Sequence, residues 1–271
     1  MPRAKRIRIL NGSAALAVAV AMFAAPFDVP ESYYHFADTR ATLGVANFGD
    51  VASNLAFLAT GALGLAWLWS AAGRARLTPR ERAPFAIFFA GVVATTFGSG
   101  YFHLAPLTPD GGPNNWGMLW DRLPITVAFT AVFAGFIADR VSPRAGAVAL
   151  PLMVAFGVAA TVYWYVTAWP GDLRIYSLVQ AYPALAIPLI CWLFPGRLTT
   201  GRHVAWLLAF YGLAKVCEVF DREIFGLLGG AVSGHTLKHL LAAVSVYVVV
   251  AMLRRAPVDD EAGRAARLAR W

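Results

Sequence analysis

The sequence predicts an all-α fold: a polytopic membrane protein with a seven-transmembrane-helix bundle and an additional N-terminal signal-anchor or signal-peptide segment. Three observations carry this prediction. Of 271 residues, 59% are hydrophobic and only 14% charged, with a mean hydropathy of +0.59, more apolar than a soluble domain of this size needs. Apolar runs of the length that crosses a bilayer as a helix recur along the chain. The basic residues gather in alternate connections between those runs.

Residues 1–27 open with the basic "PRAKRIR" and continue as an apolar run, 9–25, ending in "MFAAP". That pattern fits either a cleaved signal peptide or a retained signal anchor. Seven further runs, at 53–70, 83–104, 116–138, 145–168, 175–194, 203–220 and 237–253, place the membrane domain at 28–253. An Arg/Ala-rich stretch, 254–271, reads as a basic cytoplasmic tail with an amphipathic, interfacial end. The aromatic run "YWYVTAW" at 163–169 fits a membrane-interface belt. Cys191 and Cys217 fall inside spans without a metal or disulfide spacing and are expected to pack.

A net charge of +8 raises nucleic acid as a partner, but the distribution argues against it. With the N-terminus inside, Arg3, Lys5, Arg6, Arg8, Arg74, Arg76, Arg80, Arg82, Arg140, Arg144, Arg197, Arg202 and the tail from Arg254 all fall on one side. The alternate connections hold Asp28, Glu31, Asp38, Asp110, Asp172, Asp221 and Glu223. This is the positive-inside pattern: the C-terminus is expected in the cytoplasm.

That topology brings scattered polar residues to one depth. His103 ends the second span, with Ser99 one turn deeper on the same face. Asp121 begins the third span, three residues before Pro124, which can start or kink that helix. His235 and His239, four apart, open the seventh span on a single helix face. Ionisable side chains at such depths tend to face the bundle interior. Three neutral imidazoles with an open coordination position form a catalytic zinc set, which lowers the pKa of bound water to about 7. Asp121 is then the expected general base, and Ser99 a hydrogen-bond partner of the water or of a developing oxyanion. The plainer reading of each histidine taken alone is a packed, hydrogen-bonded side chain.

Around this set, Lys215 and Glu218 are spaced i,i+3, and Glu218 and Arg222 i,i+4, which predicts an ion-pair network. Glu218 or Asp221 can alternatively orient a ligand imidazole. Lys238 lies about 100° round the helix from each histidine and is expected to snorkel outward or pair with Glu218. His35 and His203 read as loop or interface residues.

The arrangement Ser-x3-His in the second span, "LWDRLP" in the third and "GHTLKH" in the seventh resembles the alkaline ceramidase family. This family belongs to a wider superfamily of seven-helix membrane hydrolases that includes the adiponectin-receptor-like proteins. The likeness runs from about Asn47 to Leu253 and starts with "NFGDVASNLAFL", whose Ser53 and Asn54 fall in register. It implies zinc at His103, His235 and His239, with Ser99 and Asp121 beside the bound water. It also implies hydrolysis of the amide of a ceramide-like N-acyl lipid to fatty acid and long-chain base. The stretch "LAPLTPDGGPNNWG" departs from the eukaryotic members and is expected to form an outer loop over the site. Those members carry an acidic calcium-binding segment before the first helix. Here Asp38 and Asp50 are present, but Asn47 stands where a glutamate is expected, so calcium is an open expectation. The chain is most similar to the bacterial branch, which implies a bacterial inner membrane and a site facing the outer leaflet. Two other readings stay open: a retinal-binding or proton-moving protein using Lys238 and Asp121, and a zinc-stabilised receptor without turnover.

Overall fold

The computed structural model describes residues 1–167 and 171–258; most of the predicted tail, and the end of the aromatic run at Trp169, lie outside the described residues. The described chain is helical throughout its long elements. These are α1 (Arg3–Phe23), α2 (Phe48–Ser53), α3 (Leu55–Trp69), α4 (Ala71–Arg76), α5 (Pro79–Leu104), α6 (Asn115–Arg140), α7 (Pro143–Val166), α8 (Arg174–Leu193), α9 (Gly201–Val219), α10 (Asp221–Leu227) and α11 (Gly234–Arg254), with a 3-10 turn at Glu31–Tyr34.

Helix starts follow local chemistry. Thr78 caps α5 in a capping box with Glu81, and Pro79 occupies the first turn, where its missing N–H costs nothing. Asn114, Ser142 and Ser233 cap α6, α7 and α11 by accepting from backbone N–H groups of the first turn.

Among the described residues, α1, α2 with α3, α5, α6, α7, α8 and α11 are long and apolar enough to cross a bilayer. The sixth predicted span, 203–220, differs from the expectation. It reaches that standard only together with α10, from which it is bent by 84°. Large apolar side chains such as Leu152, Leu185, Trp192 and Val219 stay exposed on the outside of the bundle, as a lipid-facing surface requires. The chain is an all-α, multi-pass membrane protein.

Helices α5 and α6 pack most extensively, α11 lies between α3 and α9, and α1 rests on α8 with none of its residues buried. One apolar core, including Phe85, Phe89, Phe136, Val249 and Leu253, fills the bundle. A second, with Tyr34, Phe36, Phe102, Met118 and Trp164, closes one end. At the opposite end the arginine-rich connections knit together. Arg3 donates to the Val141 carbonyl, Arg76 to Ala256, and Arg197 to Arg76, Pro257 and Glu81. The connections predicted to share a side do share one end of the bundle.

Candidate metal centre

The first turn of α11 is held from three directions. The Asp221 carboxylate accepts from the His235 N–H (2.7 Å) and, through its other oxygen, from the Ala37 N–H (2.9 Å). Ser233 caps the Thr236 N–H at 2.9 Å. Asp50, fully buried, accepts from the Ser233 and Thr236 hydroxyls at 2.9 and 2.8 Å. Gly234 permits this approach: a Cβ there would stand 2.3 Å from the Cys217 carbonyl oxygen. The bend between α9 and α10 is what carries Asp221 to this turn.

This anchoring turns His235 and His239 toward His103 at the end of α5. All three are nearly inaccessible, at 3%, 2% and 1% exposure. Their ring centroids form an almost equilateral triangle with sides of 4.7, 5.0 and 5.0 Å, and one ligand atom from each lies within 4.8 Å of the others. The His103 and His235 Nε2 atoms are 3.3 Å apart. Two nitrogens about 2.0–2.1 Å from a tetrahedral zinc would be separated by about 3.3–3.4 Å.

Protonation supports the same reading. Ser53 donates its hydroxyl proton to the Asp50 carbonyl (3.0 Å), so its oxygen accepts from His239 Nδ1–H at 2.8 Å, which leaves His239 Nε2 as a bare acceptor. Lys238 Nζ donates to His235 Nε2 at 2.9 Å, so that nitrogen also carries a lone pair. A metal and the Lys238 ammonium therefore compete for it. Three buried histidines are placed to hold a metal ion, and among the described residues they form the one such cluster.

Ser99 and Asp121 come to the same end through the α5–α6 contact. The helices approach so closely at Gly98 that a Cβ would lie 2.1 Å from the Trp120 carbonyl oxygen. The next residue on each helix is Ser99 or Asp121, and the Ser99 hydroxyl lies against the Asp121 carboxylate. Asp121 is 6% exposed, and its Oδ1 has no hydrogen-bond partner. Both residues, with His239, line a cavity of about 340 Å3 that runs inward past Phe88, Val132, Ile187 and Val249.

Several partners escaped the sequence reading. Phe36 lies over the triad, 4.7 and 4.8 Å from the His103 and His235 rings. Segment 105–114, within the expected outer loop, is braced by contacts of its own, and its Leu107 packs against the cluster that includes Phe36 and Phe102. Thr108 bonds Gly112, Leu107 bridges Pro113, and Asn114 ties back to the Ala105 carbonyl. As the sequence leads one to expect, Glu218 pairs with Lys215 and, at 2.9 Å, with Lys238; of the two positions expected for Lys238, pairing and not snorkelling is the one observed. Arg222 donates to the His35 carbonyl, not to Glu218. Asp221 binds the His235 backbone rather than an imidazole, and His203 is buried against Thr200.

The residues considered for calcium have protein partners. Asp38 holds Arg40 through both oxygens, Asp50 holds the α11 cap, and Asn47 donates to the His103 carbonyl at 2.7 Å. No protein-family model and no curated protein matches the chain.

Proposed function

We propose that the chain is a zinc-dependent intramembrane lipid amidohydrolase that splits a ceramide-like N-acyl lipid into a fatty acid and a long-chain base. The observation that carries this reading is convergence. The histidine cradle, an unpartnered carboxylate oxygen on Asp121, and a mostly apolar cavity meet at one point. A cavity polar at one end and apolar along its length suits an amphiphile whose amide stays near the polar end while its chain remains in apolar surroundings.

Zinc in the cradle supplies a Lewis acid and a water acidified to near-neutral pKa. The protein supplies the proton handling. Asp121 takes the proton of the attacking water as the oxygen bonds to the acyl carbon, then delivers it to the amine nitrogen as the C–N bond breaks. Ser99, against Asp121 on the cavity wall, donates its one hydroxyl proton to that carboxylate and orients it, leaving its oxygen to accept from the attacking water. Ser53 holds the His239 ring in the tautomer that offers Nε2. With the arginine-rich end in the cytoplasm, as the positive-inside rule requires of a bacterial inner membrane protein, the site faces the outer leaflet.

The retinal alternative needs Lys238 available for a Schiff base, whereas this lysine is paired with Glu218 in the first turn of α11. The test combines metal content by mass spectrometry with fatty acid release from a labelled ceramide panel. Asp121→Asn should keep the metal and lose roughly 10²–10⁴-fold in rate; His103→Ala and His239→Ala should lose both. Full hydrolysis by both histidine variants would overturn the mechanism.

A further inference from the structure

The cavity holds one charge that the proposed chemistry does not use. Arg122 follows Asp121 on α6, is 7% exposed and lines the cavity wall. Its guanidinium carbon lies 4.1 and 4.6 Å from the centroids of the Trp164 and Tyr176 rings, within cation–π range of both. Its planar N–H donors remain the groups that can bind an anion. No carboxylate pairs with it among the described residues, and its buried Nη1 has no hydrogen-bond partner.

Nearby acids are committed elsewhere. Asp121 lies against Ser99. Asp28 accepts from Trp164 Nε1, the Val29 N–H and the Gly171 N–H. The other charged residues of the cavity, Lys215 and Lys238, share Glu218. The wall thus carries three cations, Arg122, Lys215 and Lys238, against two carboxylates, Asp121 and Glu218. Arg122 is the one of the three with no carboxylate in ion-pair contact; Asp121 and Asp28 act on it only at longer range. A buried cation without a partner is costly, and a cationic metal nearby would only deepen the positive field.

We infer that the lipid taken into this cavity is anionic, with a carboxylate or phosphate on its head that receives the N–H edge of Arg122. Resting on the amidohydrolase reading, this narrows the substrate class from neutral N-acyl lipids to acidic ones. The planar guanidinium fork matches both anions through two parallel N–H donors. Because Arg122 is next to Asp121 in the chain, the anion belongs to the head of the lipid, and the apolar length of the cavity takes the acyl chain. A neutral head with hydroxyls alone would leave the guanidinium without an ion pair at its unpartnered Nη1.

The experiment is equilibrium binding of three tritiated lipids with the same palmitoyl chain to metal-loaded protein in neutral detergent at low temperature. N-palmitoylglycine offers a carboxylate, palmitoyl-ceramide 1-phosphate a phosphate, and palmitoyl-ceramide no charge. At least one anionic lipid should bind tenfold or more tightly than the neutral one; which one does so identifies the head group. Arg122→Gln should erase the preference and Arg122→Lys keep part of it. Equal affinity for all three lipids, or an undiminished preference in folded Arg122→Gln, overturns the inference. Fatty acid release is followed separately, so selective binding without cleavage would count against the hydrolase and not against Arg122. If the glutamine variant does not fold, the wild-type comparison still decides.

Discussion

The Ser53 oxygen stands 2.8 Å from Nδ1 of His239 while its own proton goes to the Asp50 carbonyl. The same Asp50 anchors the cap of α11 through its carboxylate, so one short helix sets both the position of His239 and its tautomer. Groups that orient ligand imidazoles typically contribute 10–100-fold to metal affinity. Ser53→Ala should weaken zinc binding by about that factor in a chelator-competition titration, with little change in the melt of the metal-free protein. Unchanged affinity would show that packing alone orients the ring.

Metal removal should be visible in stability as well as activity. A ligand that binds only the folded state at 100 times its Kd stabilises it by about 2.7 kcal/mol. Treatment with a strong chelator should therefore lower the melting temperature of the wild-type protein, and zinc should restore it. In His235→Ala/His239→Ala neither chelator nor zinc should shift the melt. A shift that persisted in the double variant would place the metal elsewhere.

An acid-sensitive clamp lies outside the bundle proper. Asp172 receives hydrogen bonds from Arg174, which pull its carboxyl below the usual carboxylate value, and Arg174 also donates to the Ala24 carbonyl beyond α1. Because the folded pKa lies below the unfolded one, the pair's stabilisation is complete above an unfolded pKa of about 3.9 and is lost as pH falls through the lower folded value. Asp172→Asn should melt earlier than wild type at neutral pH, and the gap should close under strongly acidic conditions. A constant gap across pH would assign the effect to packing.

The bundle and the members of the candidate site were legible because each rests on a local signal. Hydropathy marks the spans, and fourfold spacing puts Ser99 with His103 and His235 with His239. The connections between those signals were not legible. Phe36 sits in a segment with no periodicity and reaches the triad only because Asp221 holds the neighbouring Ala37 N–H. The bend at Phe220 follows no proline, so α9 read as a plain span. Of the two positions open to Lys238, snorkelling or pairing with Glu218, the structure takes the second; its contact with His235 Nε2 is not legible, because helix angle alone ignores the reach of a lysine. Arg122, within "LWDRLP", has no local signal of a role, since only the fold shows that its carboxylate neighbours hydrogen-bond elsewhere.

The contact between Gly98 and Trp120 provides a test of how far the site depends on helix packing. A methyl group at position 98 would meet the Trp120 carbonyl oxygen at 2.1 Å, and backbone cannot move aside as a side chain can. Gly98→Ala must push α5 and α6 apart, at a cost of roughly 1–3 kcal/mol for overpacking. The displacement falls beside Ser99 and Asp121 but one turn from His103. Metal content should therefore survive in the folded fraction while lipid hydrolysis drops sharply. Gly100→Ala, two residues along the same helix with open space around its Cβ position, is the matched control and should leave both unchanged. If Gly98→Ala retained full hydrolysis, the Ser99–Asp121 juxtaposition would have no part in the chemistry.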